Sequence, residues 1–175
     1  MPVQIGAKPD SGFDDPLGIL KDCHRRIERF LGVLCLVAER ANGRALDAEE
    51  AEAVRAALRY FRESGRRHNA DEEESLFPRL QHAPEILAQL NQLEEEHARS
   101  NRLHDSVDQQ FTAWLAEGSP HDPDRLLRET SELREIYTGH IQLEEDLVFP
   151  RAAALLPPRT IAQMGEEFRA RRNRV

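Results

Sequence analysis

The stretch "HNADEEESLFPRL" spans residues 68–80, and 72 residues later the chain writes "HIQLEEDLVFPRA" at 140–152. Both copies run His, three residues, Glu-Glu, two residues, an apolar residue, then Phe-Pro-Arg. A spacing of four places His68 and Glu72 on one face of a helix, about one turn or 6 Å apart along the axis. His140 and Glu144 repeat that placement. A helix does not need such a pair in order to fold, so the pattern points to a site.

Working outward, the flanks read as helical too. "PLGILKDCHRRIERFLGVLCLVAER" puts Leu20, His24, Ile27, Leu31 and Leu34 on one stripe, with Pro16 at the first helical position and Asp15 as its cap. Gly43 is the expected stop and Asp47 the next cap. The second helix turns Leu58, Phe61, Gly65, His68, Glu72, Leu76 and Leu80 inward, and Pro78 is expected to end or kink it at Phe77. "QHAP" reads as a turn, Pro84 as the opening of a third helix that Gly118 stops, and "SPHDPD" as a loop. A fourth helix runs from about 123 to 155, before the double proline at 157–158, and "RTIAQMGEEFRA" makes a short fifth.

These elements predict an all-α fold, an antiparallel up-down-up-down four-helix bundle. The expected organisation is an irregular N-terminal arm over 1–15 and a bundle over 16–156, then a short C-terminal helix with a basic tail over 157–175. The bundle divides into two αα-hairpin halves, about 16–80 and 84–155. An open helical repeat would need more than two units to bury its core.

Composition agrees. Of 175 residues, 32 % are charged, 39 % hydrophobic and only 6 % aromatic, a mixture that favours helix over sheet. The net charge of −8 repels phosphate backbones and weighs against nucleic acid. The basic "RARRNR" at 169–174 is read as a solvated tail. Cys23 and Cys35 share one helix roughly 18 Å apart, too far to bridge each other, which fits a reducing compartment. With no signal-peptide core and no run of about 18 apolar residues, a cytoplasmic location and no membrane partner are expected.

The repeat is wider than the quoted stretches. His24 and His97 stand 73 residues apart, so each half reads His, a gap of about 44 residues, then His-x-x-x-Glu. A two-fold pseudosymmetry would bring all four imidazoles, with Glu72 and Glu144, to the middle of the bundle. Six such donors exceed one tetrahedral zinc site and suit two metal ions bridged by the carboxylates. Buried carboxylates cost several kcal/mol each unless a positive charge compensates, which favours metal over a hydrogen-bonded polar core.

The chain resembles the hemerythrin-like, or HHE cation-binding, domains through "DCHRRI", "HNADEEESLFP", "EEEHARS" and "HIQLEEDLVFP" over about 16 to 155. The resemblance implies a non-haem di-iron centre, two iron ions with an oxo or hydroxo bridge. Its ligands would be His24, His68, Glu72, His97, His140 and Glu144. Zinc or manganese can take the same donors in a recombinant preparation. Oxygen-carrying members have H-x-x-x-H in the third helix, where this chain has Asn101, and end on H-x-x-x-x-D, where it has Glu144 at the fourth place. That departure weighs against reversible oxygen carriage and towards the iron- and redox-responsive members.

At the margin, His104 reads as a pocket group or hydrogen-bond partner of the ligands, with ligation the lesser alternative, and Asn101 as a pocket hydrogen-bonding group or a polar core residue. Glu73, Glu74, Glu145 and Asp146 read as a solvated acidic face, some of them able to orient imidazoles. Glu28, His82 and His121 read as surface groups. Tyr60, Tyr137 and Cys23 read as structural. Gly65 and Gly139, beside the His positions, suggest close helix approach or a local bulge. The leading expectation is a di-iron protein that binds or senses dioxygen, peroxide or iron and redox state, rather than a dedicated enzyme. A di-iron oxidase or peroxidase ranks second, and an acidic helical module without metal third.

Overall fold

A computed structural model describes residues 10–41 and 44–173. Five helical rods account for nearly all of them, and no strand occurs among the described residues. α1 runs Pro16–Ala41. α2 is a continuous rod made of Ala48–Tyr60, a π turn Phe61–Gly65, Arg66–Asp71, a second π turn Glu72–Leu76, and Phe77–Leu80. α3 is Leu87–Glu117. α4 joins Pro123–Leu143, a π turn Glu144–Val148, and Phe149–Leu155. α5 is Pro158–Asn173. The first four form the antiparallel bundle, with α1 against α2 and α4, and α3 against α4; α5 lies across α1 and the middle of α2.

The ends of the rods follow from local chemistry. The Gly18 N–H donates to Asp15 Oδ1 at 2.9 Å, capping α1. Asp47 and Glu50 form a reciprocal capping box at the start of α2, worth about 1 kcal/mol. Gly118 ends α3 at φ 83°, a left-handed position that glycine adopts without strain. The expected stop at Gly43 lies outside the described residues, as do residues 1–9 of the arm and Arg174 of the tail.

Two expectations need correction. Pro84 does not open α3: residues 84–86 form a turn, closed by Ile86 N–H on Ala83 O at 3.2 Å, and the helix starts at Leu87. Ile86 is buried there, so the turn is held by its side chain. Pro78 neither ends α2 nor breaks it. The chain instead widens into a π turn just ahead of the proline, and Phe77 N–H reaches Glu72 O, five residues back. The same happens before Pro150, where Phe149 N–H reaches Glu144 O. A proline ring in an α-helix collides with the carbonyl four residues earlier, and the wide turn relieves that collision while the rod goes on.

The apolar core is divided in two. One cluster gathers Ile27, Leu31, Leu34, Phe111, Trp114 and Leu133; the other gathers Leu20, Leu76, Phe77, Leu93, Phe149 and Phe168. Between them, at the level where α1 passes from Leu20 to Ile27, lies a layer of buried polar side chains.

Candidate metal centre

That polar layer holds His24, His68, Glu72, His97, His140 and Glu144, all buried. One imidazole comes from each of the four bundle helices. Glu72 and Glu144 come from α2 and α4, each one turn after its histidine and at the first residue of its π turn. The carboxylates stand between two imidazole pairs. Glu72 Oε1 is 3.4 Å from His68 Nε2 and 4.0 Å from His24 Nε2, while its Oε2 is 3.3 Å from His97 Nε2. Glu144 Oε1 is 3.4 Å from His140 Nε2, and its Oε2 is 3.0 Å from His24 Nε2. Donor atoms of His24, His68, Glu72 and Glu144 lie within 4.8 Å of one another, and so do those of Glu72, His97, His140 and Glu144. The two groups share both carboxylates.

The imidazoles are held from behind. His97 Nδ1–H donates to Glu73 at 2.8 Å, His24 Nδ1–H to Glu145 at 2.8 Å, and His140 Nδ1–H to Glu96 at 2.9 Å. A proton on Nδ1 leaves the Nε2 lone pair facing inward. His97 Nε2 and His140 Nε2 then point at each other across 3.1 Å. All four oxygens of Glu72 and Glu144, with His24 Nε2, lack a hydrogen-bond partner among the described residues. Inward lone pairs and bare carboxylate oxygens repel unless a cation or proton sits among them. The charges respond accordingly. Burial and the nearby Glu144 push the Glu72 carboxyl well above its ordinary range. Burial opposes the charged form of Glu144 too, but His140 and His24 outweigh it and pull that carboxyl low. His140 rises to about 9, because Glu144 and Glu96 overcome burial, whereas burial and the neighbouring His24 depress His68.

These donors fit a metal-binding protein, and the fold carries them in the expected order. The hemerythrin HHE cation binding domain matches residues 15–152. The chain belongs to that family. No curated protein matches it closely enough to show kinship. The six positions quoted for the hemerythrin-like pattern are thus brought to one layer of the bundle.

Other side chains at this layer were read differently or passed over in the sequence. Glu73 and Glu145 are not simply a solvated face: each reaches an imidazole on a neighbouring helix. Glu73 stays exposed and Glu145 half-buried, and each turns its carboxylate back onto the imidazole. Glu96 was missed as a partner; its only signal was an acidic residue directly before His97. The Phe of each Phe-Pro was missed as well. Phe149 stacks on His24 at 5.5 Å and Phe77 on His97 at 5.9 Å, the rings within 13° and 12° of parallel.

His104 is not among the grouped donors. Its Nε2 is hydrogen-bonded to the Tyr137 hydroxyl at 3.0 Å, and burial lowers the imidazole to about 4, so it is neutral at ordinary pH. Asn101 is exposed and meets Asn69 at 3.5 Å, too long for a strong bond. Both line a cavity of about 360 Å³ with Phe61, Gly65 and Tyr137. Glu73 lines it too and is bonded to His97, and the Tyr137 ring lies 6.3 Å from that of His140. Gly65 ends the Phe61–Gly65 π turn, so the bulge is the better account of it, and Gly139 is exposed with open space around it. Glu28, His82 and His121 lie on the surface, and Cys23 and Cys35 are buried free thiols.

Within the basic C-terminal segment, Arg171 and Arg172 are not solvated. Asp71, fully buried beside Glu72, accepts from Arg171 at 2.8 Å and Arg172 at 2.7 Å. Arg171 also reaches Glu74 and Ser75, and Glu167 joins Ser75 to Arg79. A buried carboxylate needs such partners, and α5 supplies them. At Gly165 the backbone of Phe13 comes so close that an added Cβ would lie 1.9 Å from its carbonyl oxygen, which only glycine permits.

Proposed function

We propose that this chain is a non-haem di-iron protein that binds or senses dioxygen, peroxide or the iron and redox state of its surroundings. The observation that carries the reading is the pair of four-residue groups sharing Glu72 and Glu144. Each group offers two imidazole nitrogens and carboxylate oxygens, a donor set suited to iron and open to zinc or manganese. Bound iron would supply a change of oxidation state and coordination positions free for a small oxidant. The chain's own part is to hold the imidazoles with Nε2 inward through Glu73, Glu96 and Glu145, and to shield two of the rings with Phe77 and Phe149.

A peroxidase or oxidase is the second reading, supported by the cavity against Tyr137, which gives a small molecule a place one side chain from His140. An acidic helical module with a polar core of histidines is the third. Elemental analysis of protein grown with ample iron and purified without chelator separates metal from no metal. About two irons per chain is the expected result. A fully folded protein without bound metal would leave the polar-core module as the account. Peroxide turnover by the loaded protein then separates enzyme from sensor.

A further inference from the structure

The two donor groups carry the same ligand types, yet what stands behind them differs. In the group of His97 and His140, each Nδ1–H meets a carboxylate, Glu73 and Glu96 respectively. In the group of His24 and His68 only His24 does, and its Glu145 is shared with the Arg25 guanidinium. His68 Nδ1 is buried without a hydrogen-bond partner among the described residues. The repeat shows where the symmetry fails. Glu96 immediately precedes His97 and serves His140; the residue that immediately precedes His24, and so holds the matching place for His68, is Cys23.

We infer that Glu96 makes the two metal positions unequal, so that the one formed by His97, His140, Glu72 and Glu144 binds a divalent cation first and more tightly. The inference rests on the two-metal reading above. A carboxylate behind a ligating imidazole raises its basicity and fixes its orientation, and losing one such partner typically costs about 10–100-fold in metal affinity. The His97–His140 position has two anionic partners, neither of them facing an arginine. The His24–His68 position has one, whose charge Arg25 partly cancels. A water at His68 can accept a hydrogen bond but brings no charge. Glu96 is therefore a positioning residue for the tighter site, acting through His140.

Zinc, which is redox-silent, is the probe to use. Metal-free protein carrying nitrogen-15 histidine is titrated with zinc, and the imidazole resonances are followed by NMR. The first equivalent should move the signals of His97 and His140, and the second those of His24 and His68. Movement in the reverse order, or of all four together, overturns the inference while leaving two bound metals intact. Saturation below two zinc ions overturns the two-metal reading itself. In Glu96→Gln, which keeps the size and an acceptor oxygen, the first binding constant should fall about 10-fold or more and the second should hold. An unchanged first constant would also overturn the inference.

Discussion

At Glu72–Leu76 and at Glu144–Val148 the chain makes the same wide turn, with the same carboxylate at its start and the same Phe-Pro after it, yet the two turns face different neighbours. The first is gripped from outside by α5: Asp71 and Ser75 are fully buried polar residues, held by Arg171, Arg172 and Glu167. The second has Leu143 and Leu147 at the matching places, both only partly covered. Both copies face the same polar layer, and their outer sides have diverged to suit different contacts. Conserving the inward side of a repeat preserves a symmetric site; varying the outward side allows a fifth helix to dock on one half alone.

The largest effect should come from breaking the symmetric side. His97→Ala is expected to lower bound metal from about two per chain to one or fewer. It should also remove most of the stability gap between loaded and metal-free protein, a gap of about 4 kcal/mol when free metal stands near 1,000 times its Kd. Metal content and thermal unfolding with and without chelator check this. His24→Ala should also lose one metal, but a smaller part of that gap, because the His97–His140 position stays intact. If either variant keeps about two metals per chain, the histidine it removes is not a ligand.

Breaking the asymmetric side should cost stability without setting metal stoichiometry. Removing both Arg171 and Arg172 leaves Asp71 as a buried carboxylate without its cations, an expected loss of about 3–5 kcal/mol in urea unfolding. Asp71→Leu, which copies the residue of the second half, should cost markedly less than the double arginine change, because no buried charge is stranded. Equal losses would show that the grip is made by the helix as a whole and not by this ion cluster.

A smaller effect belongs to the side of the bundle with the cavity. His104 titrates at about 4 in the folded protein against 6.5 for an unperturbed histidine, because burial disfavours its charge. Between those values the unfolded chain takes up a proton that the folded one refuses. The stability contributed is therefore whole above about pH 6.5 and lost as pH falls to about 4. In metal-free protein, His104→Leu should show a shallower fall in urea midpoint from pH 7 to pH 5 than the parent. Identical slopes would exclude His104 as a source of acid sensitivity.

The smallest contrast compares two glycines. Gly139 is a helix-interior residue with nothing within 4 Å of an added Cβ, so Gly139→Ala should stabilise by roughly 0.5–1 kcal/mol. At Gly65 the Cβ would sit 3.3 Å from the Phe61 ring within a π turn, so Gly65→Ala should gain less or lose. Thermal midpoints of the two variants decide it.

How much of this was legible before folding depends on the range of each interaction. The helices, their caps at Asp15, Asp47 and Gly118, and the shared face of His68 with Glu72 and of His140 with Glu144 are consequences of helical period and local hydrogen bonding, which a sequence carries on its surface. That six buried donors meet in one layer followed from repeating that period in two hairpins. The π turns were half visible, since Pro78 and Pro150 announced a disturbance without saying that the rods would continue through it. Glu96 behind His140, Glu73 behind His97, the Phe rings on the imidazoles, and Arg171 with Arg172 on Asp71 were decided only in the tertiary structure. Each depends on the rotation and axial offset of one helix against another. Those offsets are set by the packing of the whole core, and no local period records them.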